Sequence, residues 1–242
     1  MSEQTRPNMT INGGGSVGAG VYGDVVVNGA GTIAGDLECE LLKINGAGTA
    51  DGNVKSTRVI VNGSGSFTRE VQAGEFVING DASIAKGAGI GRLQVKGRGS
   101  VGGSLAATEV DIRGTLKVDG DTEADLFAGQ GSFVIGGLLN AGTVNVELFG
   151  ASAAREIGGE KVTISRSRHG LAEFIGAFSE KRLRTDTIEA DEVWLEDTVA
   201  RVVRGTRVSV GAGCEIGLVE YTESYTPAPD AKVTEAIKVE AG

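Results

Sequence analysis

Residues 25–67 read VVVNGAGTIAGDLECELLKINGAGTADGNVKSTRVIVNGSGSF, and one pattern repeats within them. Asn28-Gly29, Asn45-Gly46 and Asn62-Gly63 recur at a spacing of 17, Asn79-Gly80 extends the series, and Gly97, Gly114 and Gly131 continue it. In rows of 17, the first column is Val25, Leu42, Val59, Phe76, Leu93, Val110, Phe127 and Val144, apolar throughout. Two residues on stand Val27, Ile44, Val61, Ile78, Val95, Ile112, Gly129 and Val146, and the column between, with Val26, Lys43, Ile60, Val77, Gln94 and Asp111, is mixed. Alternation of this kind describes a strand with one buried face. A second apolar column is Ile33, Ala50, Phe67, Ile84, Val101, Val118 and Ile135. A third is Leu37, Val54, Val71, Ala88, Leu105, Thr122 and Leu139.

Each unit therefore carries about three short strands, with turns at fixed columns. Glycine fills one turn at Gly29 and its equivalents and most of a second at Gly35, Gly52, Gly103, Gly120 and Gly137. Glycine at a corner serves either a positive φ or a close backbone approach. A lone unit cannot bury its apolar face, whereas stacked units share a continuous core. The fold class predicted is all-β: a single-stranded parallel β-helix with about 17 residues per coil and coils about 4.8 Å apart. Proline agrees, because none occurs between Pro7 and Pro227 and ladder positions need their N–H groups. A helical repeat is excluded, since 40 glycines would each cost about 1 kcal/mol at helical positions.

The spacing divides the chain into a flexible tail (1–10), a β-helix rod (11–164), an irregular basic connector (165–184), further β coils or a cap (185–221) and a flexible tail (222–242). The register slips to 18 at Val162 and Ile164 before the connector. Candidate end-contact or cap residues are Ile11, Trp194 and Ile216. A net charge of −9 argues against a nucleic-acid partner. No obvious membrane anchor is present, and Cys39 and Cys214 form no CxxC pair; a cytoplasmic location, the inner face of the cell membrane included, is the expectation.

At these residues the chain resembles the bactofilins, bacterial polymer-forming cytoskeletal proteins. The NG-centred cadence of residues 25–67 carries the resemblance, which extends from residue 11 to about 150. It implies a right-handed, roughly triangular β-helix that polymerises through its ends without nucleotide. It also implies scaffold roles in cell shape, wall synthesis, polar organisation or motility. The block 165–221 departs from the usual shorter core.

Motifs for chemistry are weak. Gly14-Gly15-Ser16-Val17-Gly18 matches G-x-S-x-G, but a nucleophile elbow needs a following helix. Gly18-x-Gly20-x-x-Gly23 lacks a βαβ context. Asp119, Asp121, Glu123 and Asp125 depart from calcium-loop spacing, and His169 reads as an exposed loop residue. The acids Glu189, Asp191, Glu192, Glu196 and Asp197 read as an outer face able to pair with Arg166, Arg168, Lys181, Arg182 and Arg184. Trp194 reads as core or cap packing. No catalytic, cofactor or metal residue is assigned. The function expected is a structural scaffold whose partner is itself, with other bacterial scaffold or envelope proteins as further partners. The alternative is a capped, non-polymerising adaptor binding a protein through residues 165–221, and a carbohydrate-active or acyl-transfer enzyme ranks below both.

Overall fold

A computed structural model of the chain describes residues 6–167 and 181–240, and every regular element among them is a β-strand. The chain divides into two units, Met1–Gly120 and Asp121–Gly242. The first holds β1 (Met9–Ile11), β2 (Gly14–Val27), β3 (Ala30–Ile44), β4 (Ala47–Ala50), β5 (Val54–Val61) and β6 (Ser64–Phe67). It continues with β7 (Val71–Ile78), β8 (Asp81–Ile84), β9 (Ala88–Val95), β10 (Arg98–Val101), β11 (Leu105–Ile112) and β12 (Thr115–Val118). The second holds β13 (Thr122–Leu148), β14 (Ser152–Arg166), β15 (Leu183–Leu195), β16 (Thr198–Val210), β17 (Glu215–Pro227) and β18 (Lys232–Lys238). Strands pair in parallel with the strands one coil away, so each unit is a parallel β-solenoid.

In unit 1 the register repeats the sequence period. Leu42 pairs with Val59, Val59 with Phe76, Phe76 with Leu93 and Leu93 with Val110, each 17 residues on. Four-residue strands stack on four-residue strands from β4 to β12, and eight-residue strands from β5 to β11. Within β5, Val54 and Ser56 point inward, Thr57 and Arg58 turn out, and Val59 and Val61 point inward again. That outward step bends the longer strand into two sides, giving each coil three. Corners belong to the ladder as well: Asn45 N–H donates to Val27 O (2.8 Å), Ala47 N–H to Gly29 O (2.9 Å) and Asp51 N–H to Ile33 O (2.9 Å). A chain that uses its turn amides in this way has little room for proline.

The two reasons for a corner glycine separate in the structure. Gly35 has a φ of 99°, which a side chain rarely tolerates. The Asn-Gly column instead needs close approach: a Cβ on Gly63 would collide with the carbonyl oxygen of Gly46, and one on Gly80 with that of Gly63.

The cores are mostly apolar. Val25, Val27, Leu42, Ile44, Val59, Val61, Phe76, Ile78, Leu93, Val95, Val110 and Ile112 are buried, as are Ile33, Leu37, Phe67, Ile84, Val101 and Val118. In unit 2 the same holds for Phe127, Ile135, Val144 and Val146. Phe67 meets Phe76 edge-on at 5.5 Å, and Phe127 meets Phe133 at 5.3 Å, a favoured aromatic geometry. One inward column reads as glycine in the sequence and escapes hydropathy: Gly31, Gly48, Gly65, Ala82, Gly99 and Leu116 are stacked in register. A Cβ on Gly48 would lie 2.9 Å from Ile44 Cδ1, so large neighbours fill the space that these glycines leave.

Unit 2 keeps the ladder while its turn lengths vary. Val144 pairs with Val162, 18 residues on, as the slip in the sequence indicates. Ser152 pairs with Leu183, so that turn contains 31 residues, and Leu183 then pairs with Thr198, 15 on. The expected connector shrinks accordingly. Residues 165 and 166 belong to β14 and 183 and 184 to β15, while Arg168 and His169 lie outside the described residues.

Both expected tails need correction. Residues 9–10 belong to β1, which pairs Met9–Ile11 with Val25–Val27, and Arg6 bonds Glu38 at 3.0 Å. At the other end β17 runs to Pro227, and β18 pairs Glu235 and Ala236 with Leu218 and Val219. Pro229 lies in the turn before β18 rather than in a tail. Ile216 is thus not a cap residue: it is buried, with Ala200 on one side and Val233 on the other.

Three substitutions test the steric and polar state of single sites. Gly63→Ala should lose about 2–3 kcal/mol in denaturant unfolding through its backbone collision. Gly89→Ala, with nothing within 4 Å of an added Cβ, should change stability by no more than about 0.5 kcal/mol. Thr122 is buried with a hydroxyl that lacks a hydrogen-bond partner among the described residues. Thr122→Val should therefore stabilise the fold by about 1 kcal/mol, read as a higher denaturation midpoint.

Candidate functional site

Backbone groups at the margins of the ladder are the first candidate. In β2, Val25–Val27 pair with β1 on one side and with β3 on the other. Gly14–Tyr22 pair only with β3 among the described residues, and Gly14–Ser16, Gly18, Ala19 and Val21 are exposed. Ile11 sits beside this margin and is buried, in register with Val27. In unit 2, β18 pairs with β17 alone among the described residues, and Ile237 stands 39% exposed. A strand bonded on one side presents a row of donors and acceptors to any further strand.

Side-chain ladders reinforce this backbone. Asn79, Asn62, Asn45 and Asn28 each donate a side-chain amide to the carbonyl of the preceding Asn, ending on Asn12, at 2.7–2.8 Å. Identical amides can do this because parallel coils place equivalent residues one strand spacing apart. A second corner uses carboxylates: Asp36 accepts from Asn53 N–H (2.7 Å) and Asp121 from Leu138 N–H (2.8 Å).

The sequence motifs for chemistry resolve into structure. Gly14–Gly18 and Gly20–Gly23 lie in strand β2, with no helix after Ser16. Asp119 pairs with Lys117 at 2.7 Å, Asp121 caps a neighbouring coil, and no group of three or more His, Cys, Asp or Glu is placed to hold a metal among the described residues. The acidic and basic runs do meet in part. Arg166 pairs with Asp197, and its N–H donates to Glu196 at 2.9 Å. Arg182 reaches Glu215 at 3.7 Å, and Lys181 lies 5.2 Å above the Phe149 ring. Asp197 holds a φ of 45° while buried, so this junction is tightly specified.

Glu192 belongs to another network. Lys161, Glu192, Arg207 and Glu223 form a chain of ion pairs at 3.1, 2.7 and 2.9 Å, the first three in register along one outward column and Glu223 one residue before the Ser224 that pairs with Arg207. Lys161 and Arg207 hold the Glu192 carboxyl below its usual range, with the Arg207 hydrogen bond the largest cause. Beside this ladder stands Trp194, where the structure overturns the expected packing role: it is 50% exposed. It points outward because its neighbours Val193 and Leu195 point in; a period of two at Val193 and Leu195 is the signal that places it on the surface.

No protein-family model matches the chain, and no solved structure matches it. It is 41% identical over 106 residues to YhbF of Bacillus subtilis (strain 168), and 38% identical over 106 residues to YhbE of the same organism, both described as uncharacterized proteins. Each match covers 43% of this chain, and 42% and 44% of the respective relatives. The chain thus spans less than half the length of the curated relatives it matches.

Neither thiol is exposed. Burial raises Cys39 above the usual thiol range, against a lowering contact from Ser56, and burial pushes Cys214 up to about 11. Both should resist alkylation in the folded protein and react once it is unfolded, because the thiolate is the nucleophile. Between the ordinary thiol value of 9.0 and about 11, an unfolded Cys214 loses its proton while the folded one keeps it. Stability should fall as pH rises through that window. A shallower slope in Cys214→Ala than in the wild type, by denaturant titration, is the expected check.

Proposed function

We propose that this protein is a self-assembling structural scaffold whose subunits join through the open margins of their β-solenoids. The observation that carries this reading is the pair of strands bonded on one side alone among the described residues, Gly14–Tyr22 of β2 and Lys232–Lys238 of β18. An open solenoid margin offers backbone groups and apolar side chains together, and an added strand satisfies both. Two sticky margins on one subunit give growth rather than a closed pair. No nucleotide is needed, since the driving terms are strand pairing and apolar burial. The bactofilin resemblance adds the biological setting: a cytoplasmic scaffold serving cell shape, envelope organisation or motility. No described helix is long and apolar enough to cross a membrane. The nearest rival is an adaptor that binds a protein partner through residues 165–221 and stays monomeric.

Electron microscopy of the purified chain without nucleotide tests the reading. Filaments, ribbons or sheets are expected, and Val21→Pro, which adds a bulky ring and removes an N–H at the exposed margin, should shorten or abolish them. A chain that sediments as a monomer at every concentration and salt would overturn the scaffold reading in favour of the adaptor.

A further inference from the structure

The ion-pair ladder of unit 2 alternates in sign from coil to coil, as its own ion pairs demand, and the alternation is open to a second use. Lys161, Glu192 and Arg207 stand in register along one outward column, and Glu223 reaches Arg207 from the position before the in-register Ser224, so the charges run plus, minus, plus, minus. The adjoining outward column is Thr163, Trp194, Ser209 and Thr226, each in register with the next. Between the columns lies a shallow groove of about 350 Å³. The half-exposed indole is fixed on a strand bonded on both sides, by β14 and β16. A rigid aromatic flanked by Arg is the composition of an interface centre.

The charge order names the partner. Read backwards, the column becomes minus, plus, minus, plus, so every charge faces its opposite when the same column is laid on it in reverse. We propose that this face of unit 2 binds the same face of a second copy, with the strands of the two faces aligned and the coil order reversed. The two-fold axis runs parallel to the strands, between Glu192 and Arg207. Lys161 then faces the partner's Glu223, Glu192 faces the partner's Arg207, and Trp194 covers the partner's Ser209. The pairing also completes the ladder ends, where the ion pairs above join Lys161 to Glu192 and Glu223 to Arg207.

A second ladder provides the contrast. Glu189, Arg204 and Glu220 run minus, plus, minus, which reads the same in both directions. Reversal lays like charge on like there, an arrangement that is unfavourable across a contact. Only the Trp194 face is self-complementary between the two.

The contact is small beside the roughly 800 Å² per partner of a standard interface. It is therefore weak between two isolated chains and accumulates where many copies lie side by side. It does not depend on growth through the solenoid margins, since two faces pair whether or not the margins do.

Mixing of charge variants tests it, with the single tryptophan as reporter. In the wild type, acrylamide quenching of Trp194 should fall, and its emission should move to shorter wavelength, as concentration rises. Glu192→Lys changes the column to plus, plus, plus, minus, and Arg207→Glu changes it to plus, minus, minus, minus. Each alone sets two like pairs face to face, and protection should then need on the order of tenfold more protein. An equimolar mixture of the two makes all four facing pairs opposite in the reversed arrangement and should restore protection. In a parallel arrangement the mixture keeps two like pairs. Rescue also shows that both variants fold. A wild-type indole that stays equally quenchable at all concentrations, or a mixture that behaves as the average of its parts, would overturn the proposal.

Discussion

Backbone hydrogen bonding between successive coils is the constraint on which everything else depends. From β3 to β12 each strand of unit 1 pairs at a fixed offset of 17, against 16 where β1 meets β2, and the corners bond at a constant 18, from Asn45 on Val27 to Asp51 on Ile33. Once corner amides are committed, the corner must repeat its path in every coil. That demand explains why Gly46, Gly63, Gly80 and Gly97 lie one above another, each against the carbonyl of the last. It also explains why side chains of one kind can stack, since a fixed offset brings Asn to Asn. The amide ladder is thus a consequence of the backbone period and a reinforcement of it.

Unit 2 shows how much variation the constraint allows. Its offsets pass from 18 at Val144 to 31 at Ser152 and 15 at Leu183. Turn length is nearly free, because a longer turn adds only a logarithmic entropy cost. The inward positions are not free, and Val162, Ile164, Val193, Leu195, Val208 and Val210 are all buried. Specific pairs hold the long turn at its mouth, Arg166 on Asp197 and Arg182 on Glu215. The core fixes where a strand lies, and the surface charges fix how the chain returns to it.

Most of the fold was legible in the sequence, since a period of 17 and a strand period of two together determine which residues turn inward. What escaped did so for physical reasons. Gly48 and Gly65 are core positions, but hydropathy gives them no signal, because their role is to leave room for Ile44 and Phe67. Beyond Val219 the inward residues grow sparse, and Tyr225 stands in register with Val208 in place of an aliphatic residue, so β18 and the end of β17 resemble a tail. Trp194 misled in the opposite direction, because indole is read as core by size alone. The candidate site was legible only in its parts. The charged residues stood out in the sequence, but their order along the chain of ion pairs depends on offsets of 31, 15 and 16 that no fixed period supplies.

The asparagine column has a chemical consequence of its own. Asn-Gly is the dipeptide most open to deamidation, because the following backbone nitrogen reaches the side-chain carbonyl with little hindrance. Here Asn28, Asn45, Asn62 and Asn79 each precede glycine, yet each amide is held in a chain of hydrogen bonds. The Gly63 and Gly80 nitrogens meanwhile donate to Ile44 and Val61. Closed coils therefore withhold both reactants of the cyclisation. Deamidation would replace a neutral donor by a carboxylate stacked on a carbonyl, so the first event in an opened coil hinders its closing. An opened coil is therefore the state in which these asparagines meet the conditions for the reaction.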